Sequence, residues 1–356
     1  MQLPLRTAGR GDLAVRRRKQ KRGNKSILII VVVIGILAIL AGTLMPRDVD
    51  YTPRTGMRAQ ILLDLDKSSA DLDIFAEGIT SDDDGLLYIG DNTGKIYQID
   101  PENPRLELVG TVPIDPGNLL TGLAFSPDGD LYIGAGFAGE VWKLSKSQIS
   151  TSSPGKAVLF SDNLTFANDL AFDNHGRLLV TSSQRGDVWE IASNGNAKIF
   201  ANAIISRNDN LPFGANGIAI NNIGDVFVAN TGDGAINILE TDLDKGTVDA
   251  VFIWRKDPRL IGVDGIRFDK AGNLWATINA RNTIIAITPD KEIIEVSMNG
   301  NTGPLEFPAS LTFAKDTLYI TNFDFVGAPA GEDREPGIGP SIAKLELGIE
   351  GLSTPP

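Results

Sequence analysis

The sequence predicts an all-β chain that folds as a six-bladed β-propeller, preceded by a single N-terminal transmembrane helix. Two observations carry this prediction: a strand-and-turn unit that returns six times, and a run of twenty uncharged residues near the N-terminus. The units begin at residues 77, 121, 168, 216, 264 and 309, so their spacings are 44, 47, 48, 48 and 45 residues. Repeats of roughly 40–50 residues built from short strands and turns are typical of propeller blades.

All six units share one outline: a leading polar residue, an apolar alternating run, a turn and a second apolar run. The unit "NGIAINNIGDVFVANTGDGAINILE" (216–240), for example, returns 48 residues later as "DGIRFDKAGNLWATINARNTIIAIT" (264–288). Each blade buries its faces only against its neighbours, so the ring must close. Strand-like segments lie before the first unit, at 59–66, and after the sixth, at 340–348. We expect one of these ends to complete a blade that the other begins.

The N-terminal run, "SILIIVVVIGILAILAGTLM" (26–45), is long enough to span a bilayer as a helix. A cleavable signal peptide usually has a shorter apolar region, of roughly 7–15 residues. Residues 1–25 carry nine Lys or Arg and one Asp, a net charge of 9 − 1 = +8, which leaves −12 − 8 = −20 for the rest. By the positive-inside rule the N-terminus is cytoplasmic and the propeller lies on the extracytoplasmic side. Because the folded part is acidic, no nucleic-acid partner is expected.

The expected organisation therefore has five parts. They are a basic cytoplasmic tail (1–25), a transmembrane anchor (26–45), a linker (46–58), the propeller (59–350) and a C-terminal tail (351–356). The chain has no cysteine and a single histidine, His175, which excludes disulfides, cysteine nucleophiles and any chemistry that needs two histidines.

The leading residues of the six units predict a metal site. In a propeller the first strand of each blade lines the central channel, so these residues converge at one mouth. They are Glu77, Thr121, Asn168, Asn216, Asp264 and Ala309 or its neighbour Ser310. Carboxylates and amides that meet there would repel one another or stay unsatisfied, whereas Ca²⁺ takes 6–8 oxygen ligands of these kinds. The alternative is that the polar residues only cap a hydrated channel and bond to inner-strand backbone, as we expect of Thr121.

Several stretches resemble the regucalcin/gluconolactonase family of six-bladed propellers over roughly residues 59–350. They are "AEGIT" (76–80), "FANDLAFD" (166–173), "GANGIAI" (214–220), "VDGIRFDKAGNLWA" (263–276) and "FPASLTF" (307–313). The resemblance implies Ca²⁺ or another divalent cation held by Glu77, Asn216 and Asp264. It also implies that Asp264 acts as general base, with Asn168 contacting the substrate or completing the metal shell. Several family members hydrolyse sugar lactones or other esters.

The sequence departs from the sugar-lactonase pattern at the substrate side of the mouth, where Asn168, Phe166 and Thr121 are the candidate substrate-binding residues. Phe166 stands where sugar-lactonase members carry an arginine, and Phe213 and Phe307 are nearby in sequence. We therefore expect a more apolar lactone or ester than a sugar acid.

Two function classes stay open. One is a membrane-anchored, metal-dependent hydrolase of lactones or esters. The other is a non-catalytic propeller that serves as a binding or structural subunit of a membrane complex, since metal binding alone does not make an enzyme. A weaker third interpretation is a strictosidine-synthase-like propeller, which has six blades without the metal ligands.

Overall fold

The computed structural model describes residues 51–65, 74–242, 247–300, 302–324 and 338–352. The predicted anchor (26–45) and basic tail (1–25) lie outside these ranges. Within them, no helix is long and apolar enough to cross a membrane.

The described residues form six sheets, antiparallel apart from one short edge pairing, which confirms the predicted six-bladed propeller. The first strand, β1 (Gln60–Asp64), belongs to the last blade. Blade I contains β2 (Ala76–Ser81), β3 (Leu87–Asp91), β4 (Lys95–Ile99) and β5 (Glu107–Thr111). Blade II contains β6 (Leu120–Phe125), β7 (Leu131–Ala135), β8 (Glu140–Leu144) and β10 (Val158–Ser161). Between the last two, β9 (Gly155–Lys156) adds a short parallel edge to β5 of blade I.

The remaining four-stranded blades follow in chain order. Blade III contains β11 (Ala167–Phe172), β12 (Leu178–Ser182), β13 (Asp187–Ile191) and β14 (Ala197–Ala201). Blade IV contains β15 (Ala215–Ile220), β16 (Val226–Asn230), β17 (Ala235–Asp242) and β18 (Thr247–Lys256). Blade V contains β19 (Val263–Phe268), β20 (Leu274–Ile278), β21 (Thr283–Ile287) and β22 (Ile293–Met298). Blade VI contains β23 (Pro308–Ala314), β24 (Thr317–Asn322), β25 (Ser341–Glu346) and β1. Three 3-10 turns, at Lys146–Gln148, Pro258–Leu260 and Asn279–Arg281, complete the described elements.

Blade VI closes the ring with strands from both ends of the propeller. The N-terminal β1 pairs antiparallel with β25, from Gln60 opposite Lys344 to Asp64 opposite Ser341. This confirms the expectation that one end completes a blade begun by the other. The predicted linker also takes part, because the Met57 N–H donates to the Val296 carbonyl of blade V.

A second contact ties down the end of the chain. The Leu352 N–H donates to the Phe268 carbonyl, and Gly351 forms a bridge with Asp269 on blade V. The first residues of the predicted C-terminal tail therefore pack on the propeller.

The hydrophobic core lies between the blades. Six clusters of buried apolar side chains fill the six junctions, and the largest fully buried side chain, Trp275, lies between blades V and VI. Apolar burial of this kind contributes roughly 25 cal/mol per Å². No blade is buried alone, so stability depends on the closed ring.

A β-bulge interrupts each inner strand at the same place. In β2, Ala76 pairs with Asp91 but Ile79 pairs with Ile89, so one extra residue is inserted between them. The six inner strands contact one another in a closed cycle around the axis. At the bulge their backbones come so close that a Cβ on Gly217 would overlap the carbonyl oxygen of Asp264. A glycine is needed there for space alone.

Removal of residues 340–356 should abolish cooperative unfolding, because it deletes β25 and leaves β1 without a partner. Circular dichroism during thermal unfolding checks this, with removal of 353–356 alone as the matched control. A cooperative transition in the longer deletion would contradict ring closure by β1.

Gly217→Ala should destabilise the propeller by about 1–3 kcal/mol, since the added methyl group must push blades IV and V apart. Gly300→Ala is the control, because a Cβ at Gly300 meets no atom within 4 Å. Denaturant unfolding of both variants measures the difference. Equal stabilities of the two variants would show that a methyl group at residue 217 fits between blades IV and V.

Candidate metal and catalytic site

The bulges bring four of the predicted site residues together at one mouth of the channel. Glu77, Asn168, Asn216 and Asp264 are among the residues that line a narrow cavity there. Blade VI contributes Ala309 and Ser310 to the same cavity, so it offers no carboxylate or amide. Thr121 and Phe166 do not line this cavity.

The amides of blades III and IV are oriented by hydroxyl groups fifteen residues further along the chain. Asn168 Nδ2 donates to Ser183 Oγ at 2.8 Å, and Asn216 Nδ2 donates to Thr231 Oγ1 at 2.9 Å. Each hydroxyl donates its own proton to a backbone carbonyl of the next blade: Ser183 donates to Ala215, and Thr231 donates to Val263. The hydroxyl can therefore only accept from the amide. This fixes the amide so that its NH₂ group faces the hydroxyl and its Oδ1 faces away.

Asn216 is only 5% exposed, and its Oδ1 atom is buried. This atom accepts no hydrogen bond from any described residue. A buried acceptor without a donor costs about 1–3 kcal/mol. A bound cation would remove that cost, because an amide oxygen is a ligand that hard cations accept.

Asp264 occupies the equivalent position in blade V, again with a partner fifteen residues later. Asn279 Nδ2 donates to Asp264 Oδ2 at 3.0 Å. Burial raises the pKa of Asp264 to about 7; the hydrogen bond from Asn279 opposes the rise and the Asp169 carboxylate adds to it. A carboxylate with a pKa in this range can exchange a proton near neutral pH.

Glu77 faces the same cavity from blade I. Removal from water raises its pKa well above the usual range, and the nearby carboxylates of Asp264 and Asp169 raise it further. Two or more carboxylates that disfavour one another's ionisation are the arrangement that a divalent cation stabilises.

Two residues at this site were not predicted. Asp169 follows Asn168 where four of the six units have glycine, and Asn279 lies fifteen residues after Asp264, in register with Ser183 and Thr231. Both could have been found by comparing the units column by column. Asp169 is bound by Arg267 of blade V, whose Nη1 lies 2.9 Å from Asp169 Oδ2.

The two remaining candidates lie together beside the cavity. Thr121 Oγ1 donates to the Ala167 carbonyl at 2.8 Å, the backbone bond expected of it. The Phe166 ring packs edge-to-face on Phe137, with centroids 5.1 Å apart. A Cβ on Gly136 would touch both Phe166 and Thr121, so the three residues are neighbours. Phe137 is 60% exposed, which leaves an apolar surface open to solvent there.

The donor set fits a hard divalent cation. It consists of oxygen atoms: carboxylates of Glu77 and Asp264 and the unsatisfied amide oxygen of Asn216. Over the described ranges, no group of three or more His, Cys, Asp or Glu side chains is arranged to hold a metal, so amides are needed to complete the set. With no cysteine and one histidine, the chain offers little to zinc.

The other end of the channel opens into a separate cavity of about 350 Å³. Arg267 lies on its lining, and Lys270, Lys315 and Glu350 lie around it. The C-terminal residues Gly351 and Leu352 also border this cavity.

Solved structures with the same fold include proteins of several descriptions. A luciferin-regenerating enzyme is 17% identical, with a TM-score of 0.61 over 79% of this chain and 94% of that one. Regucalcin from Agrobacterium tumefaciens, described as a calcium-binding protein, is 14% identical, with a TM-score of 0.60 over 86% and 99%. A gluconolactonase from Xanthomonas campestris is 16% identical, with a TM-score of 0.61 over 85% and 97%. At these identities the similarity establishes the fold alone.

No curated protein sequence matches the chain with significance. Residues 75–324, which include every predicted site residue, match the family described as the SMP-30/Gluconolactonase/LRE-like region. On this match, which spans most of the chain, the protein belongs to the SMP-30/gluconolactonase family of six-bladed β-propellers.

Proposed function

We propose that the protein is a metal-dependent hydrolase that opens lactones or cleaves esters at the channel mouth. The observation that carries this proposal is the buried, unsatisfied Oδ1 of Asn216 beside the carboxylates of Glu77 and Asp264. Membership of a family whose relatives include a gluconolactonase supports it.

We propose Glu77, Asn216 and Asp264 as the metal ligands, and Ca²⁺ as the ion. Hard oxygen donors suit Ca²⁺, and one structural relative is described as a calcium-binding protein. When bound, a divalent cation polarises a carbonyl group and stabilises negative charge on its oxygen. Asn279 and Thr231 hold Asp264 and Asn216 in place for this task.

Asp264 is the proposed general base. Its carboxylate lines the cavity and would take a proton from a water molecule as the water oxygen bonds to the substrate carbonyl carbon. The carbon–oxygen bond of the ester or lactone then breaks, and the proton passes to the leaving oxygen. We propose that Asn168 contacts the substrate, since it lines the same cavity.

We propose a substrate more apolar than a sugar acid. Phe166, Phe137 and Thr121 form the neighbouring surface, and Phe137 is largely exposed. No arginine stands at position 166 to bind a polyhydroxy acid.

We also propose that residues 26–45 anchor the propeller to a membrane, with the propeller on the extracytoplasmic side. The uncharged run and the basic residues before it support this topology. Extracellular Ca²⁺ would keep even a weak site occupied.

A non-catalytic role in a membrane complex is the second candidate, favoured by the loss of the arginine at position 166. The two candidates share the metal site and differ in turnover. Metal binding without hydrolysis of any lactone or ester would decide for the second.

Asp264→Asn should lower hydrolysis by roughly 10²-fold or more, because it removes the proposed base and a ligand. A panel of medium-chain lactones, aryl esters and a sugar lactone measures the effect, and the apolar substrates should react fastest. Asp128→Asn, on an exposed hairpin turn, is the matched control and should keep full activity. Unchanged hydrolysis by Asp264→Asn would remove the proposed mechanism.

The metal-free propeller should lose stability as the pH rises. The pKa of Asp264 is raised from 3.8 to about 7 on folding, so its contribution is fully present below pH 3.8 and is lost as the pH passes 7. Ca²⁺ binds the ionised form, so it should raise the melting temperature more at pH 7.5, about half a unit above that pKa, than at pH 5.5, about one and a half units below it.

Calorimetry with EDTA and with CaCl₂ at both pH values checks this expectation. Asp264→Asn should show a smaller pH dependence and a smaller effect of Ca²⁺. Equal Ca²⁺-induced shifts at the two pH values would mean that Asp264 does not bind the ion.

A further inference from the structure

Two residues depart from the internal repeat, and they pair with each other. In the column after the leading residue, four units have glycine, the sixth has Ser310, and the third has Asp169. Three residues after the leading residue the side chains are small, except for Arg267 in blade V. The small ones are Thr80, Ala124, Ala171, Ala219 and Thr312. Each departure would leave an unpaired buried charge if it stood alone, which would destabilise the fold.

The pair is bidentate and spans blades III and V. Arg267 Nη1 lies 2.9 Å from Asp169 Oδ2, and Nη2 lies 3.2 Å from Oδ1. Arg267 Nη1 also donates to the carbonyls of Ile218 and Ile266. Asp169 accepts further bonds from the N–H groups of Leu170 and Ile218. With side chains 15% and 6% exposed, both ions are held almost out of water.

This ion pair forms the floor between the two ends of the channel. Asp169 lines the proposed metal cavity, whereas Arg267 lines the 350 Å³ cavity at the other end. Arg267 therefore approaches the metal cavity from the other end of the channel. Its positive charge opposes the rise in the pKa of Glu77.

The net charge around the proposed metal position follows from four side chains. Glu77, Asp264 and Asp169 contribute −3 when ionised, and Arg267 contributes +1, which leaves −2. One divalent cation makes the site neutral. Without Arg267 the site would carry −3 and Asp169 would be free to act as a third carboxylate ligand.

We propose that Arg267 is a positioning residue that holds Asp169 away from the metal and sets the charge of the site to match one divalent cation. This inference rests on the metal site of the proposed function. It assigns Arg267 and Asp169 a role in metal affinity and in the choice between divalent and trivalent ions, and no direct role in hydrolysis.

The test is calorimetric titration of the full-length protein in detergent with Ca²⁺ and with La³⁺. Arg267→Met (site charge −3) should bind Ca²⁺ at least roughly tenfold more tightly than the wild type, and its preference for La³⁺ should increase. Asp169→Asn (−1) should bind Ca²⁺ at least roughly tenfold more weakly. Two variants keep the charge at −2: Arg267→Lys, and the double variant Asp169→Asn with Arg267→Met. Both should stay within about threefold of the wild type.

Thermal unfolding of each sample separates a folding defect from a change in affinity. If Arg267→Met does not unfold cooperatively, Asp169→Asn and the double variant carry the comparison. Affinities that follow the site charge support the inference. If the wild type binds Ca²⁺ but the affinities of the variants do not follow the site charge, this inference alone is overturned. If the wild type does not bind Ca²⁺, the inference is overturned together with the proposed function.

Discussion

The structure depends on how closely six inner strands approach one axis. At five of the six junctions a threonine or serine hydroxyl of one blade donates to a backbone carbonyl of the next. The donor–acceptor pairs are Thr121–Ala167, Ser183–Ala215, Thr231–Val263, Thr277–Ala309 and Thr321–Glu77, at 2.6–2.9 Å. Such bonds fix the distance between blades at the depth of the bulges. The side chains that face the mouth therefore sit on a rigid ring, and two of these same hydroxyls also orient Asn168 and Asn216. The same contacts therefore join neighbouring blades and orient side chains of the site.

The repeat allowed much of the fold to be predicted, because a period of 44–48 residues and its two end strands leave few ways to build a closed ring. Glu77, Asn168, Asn216 and Asp264 could be placed together for the same reason: equivalent positions in a ring share one depth. The Asp169–Arg267 pair could not be predicted this way, since the repeat does not say which departures from it face each other across 98 residues. The pKa of Asp264 also depends on its burial and on neighbours in other blades, which a linear pattern does not contain. The predicted anchor and basic tail lie outside the described residues, so they stay predictions.

The two ends of the channel differ in chemistry as well as in shape. The mouth with Asn216 and Asp264 is narrow and lined by acceptors, whereas the opposite cavity of about 350 Å³ is bordered by side chains of both charges, Arg267, Lys270 and Lys315 beside Asp82, Asp83 and Glu350. One buried ion pair separates them. A ligand at one end is therefore not in contact with a ligand at the other. The fold of this family accommodates proteins of different descriptions. Departures from the repeat, such as Asp169 and Arg267, can change the chemistry of the channel without disturbing the ring.

The pairing of β1 with β25 also has a consequence during synthesis. β1 ends at Asp64 and its partner begins at Ser341, which follows Asp64 by 341 − 64 = 277 positions. At ~5–20 residues per second the ribosome needs about 15–55 s to cover that distance. For this interval β1 has completed its own length and has no partner, and its sequence "QILLD" is mostly apolar. An unpaired apolar strand edge is a template for pairing with other chains. The nascent chain therefore passes through a long period in which its first strand must be kept from other partners, and this period ends only when the last blade emerges.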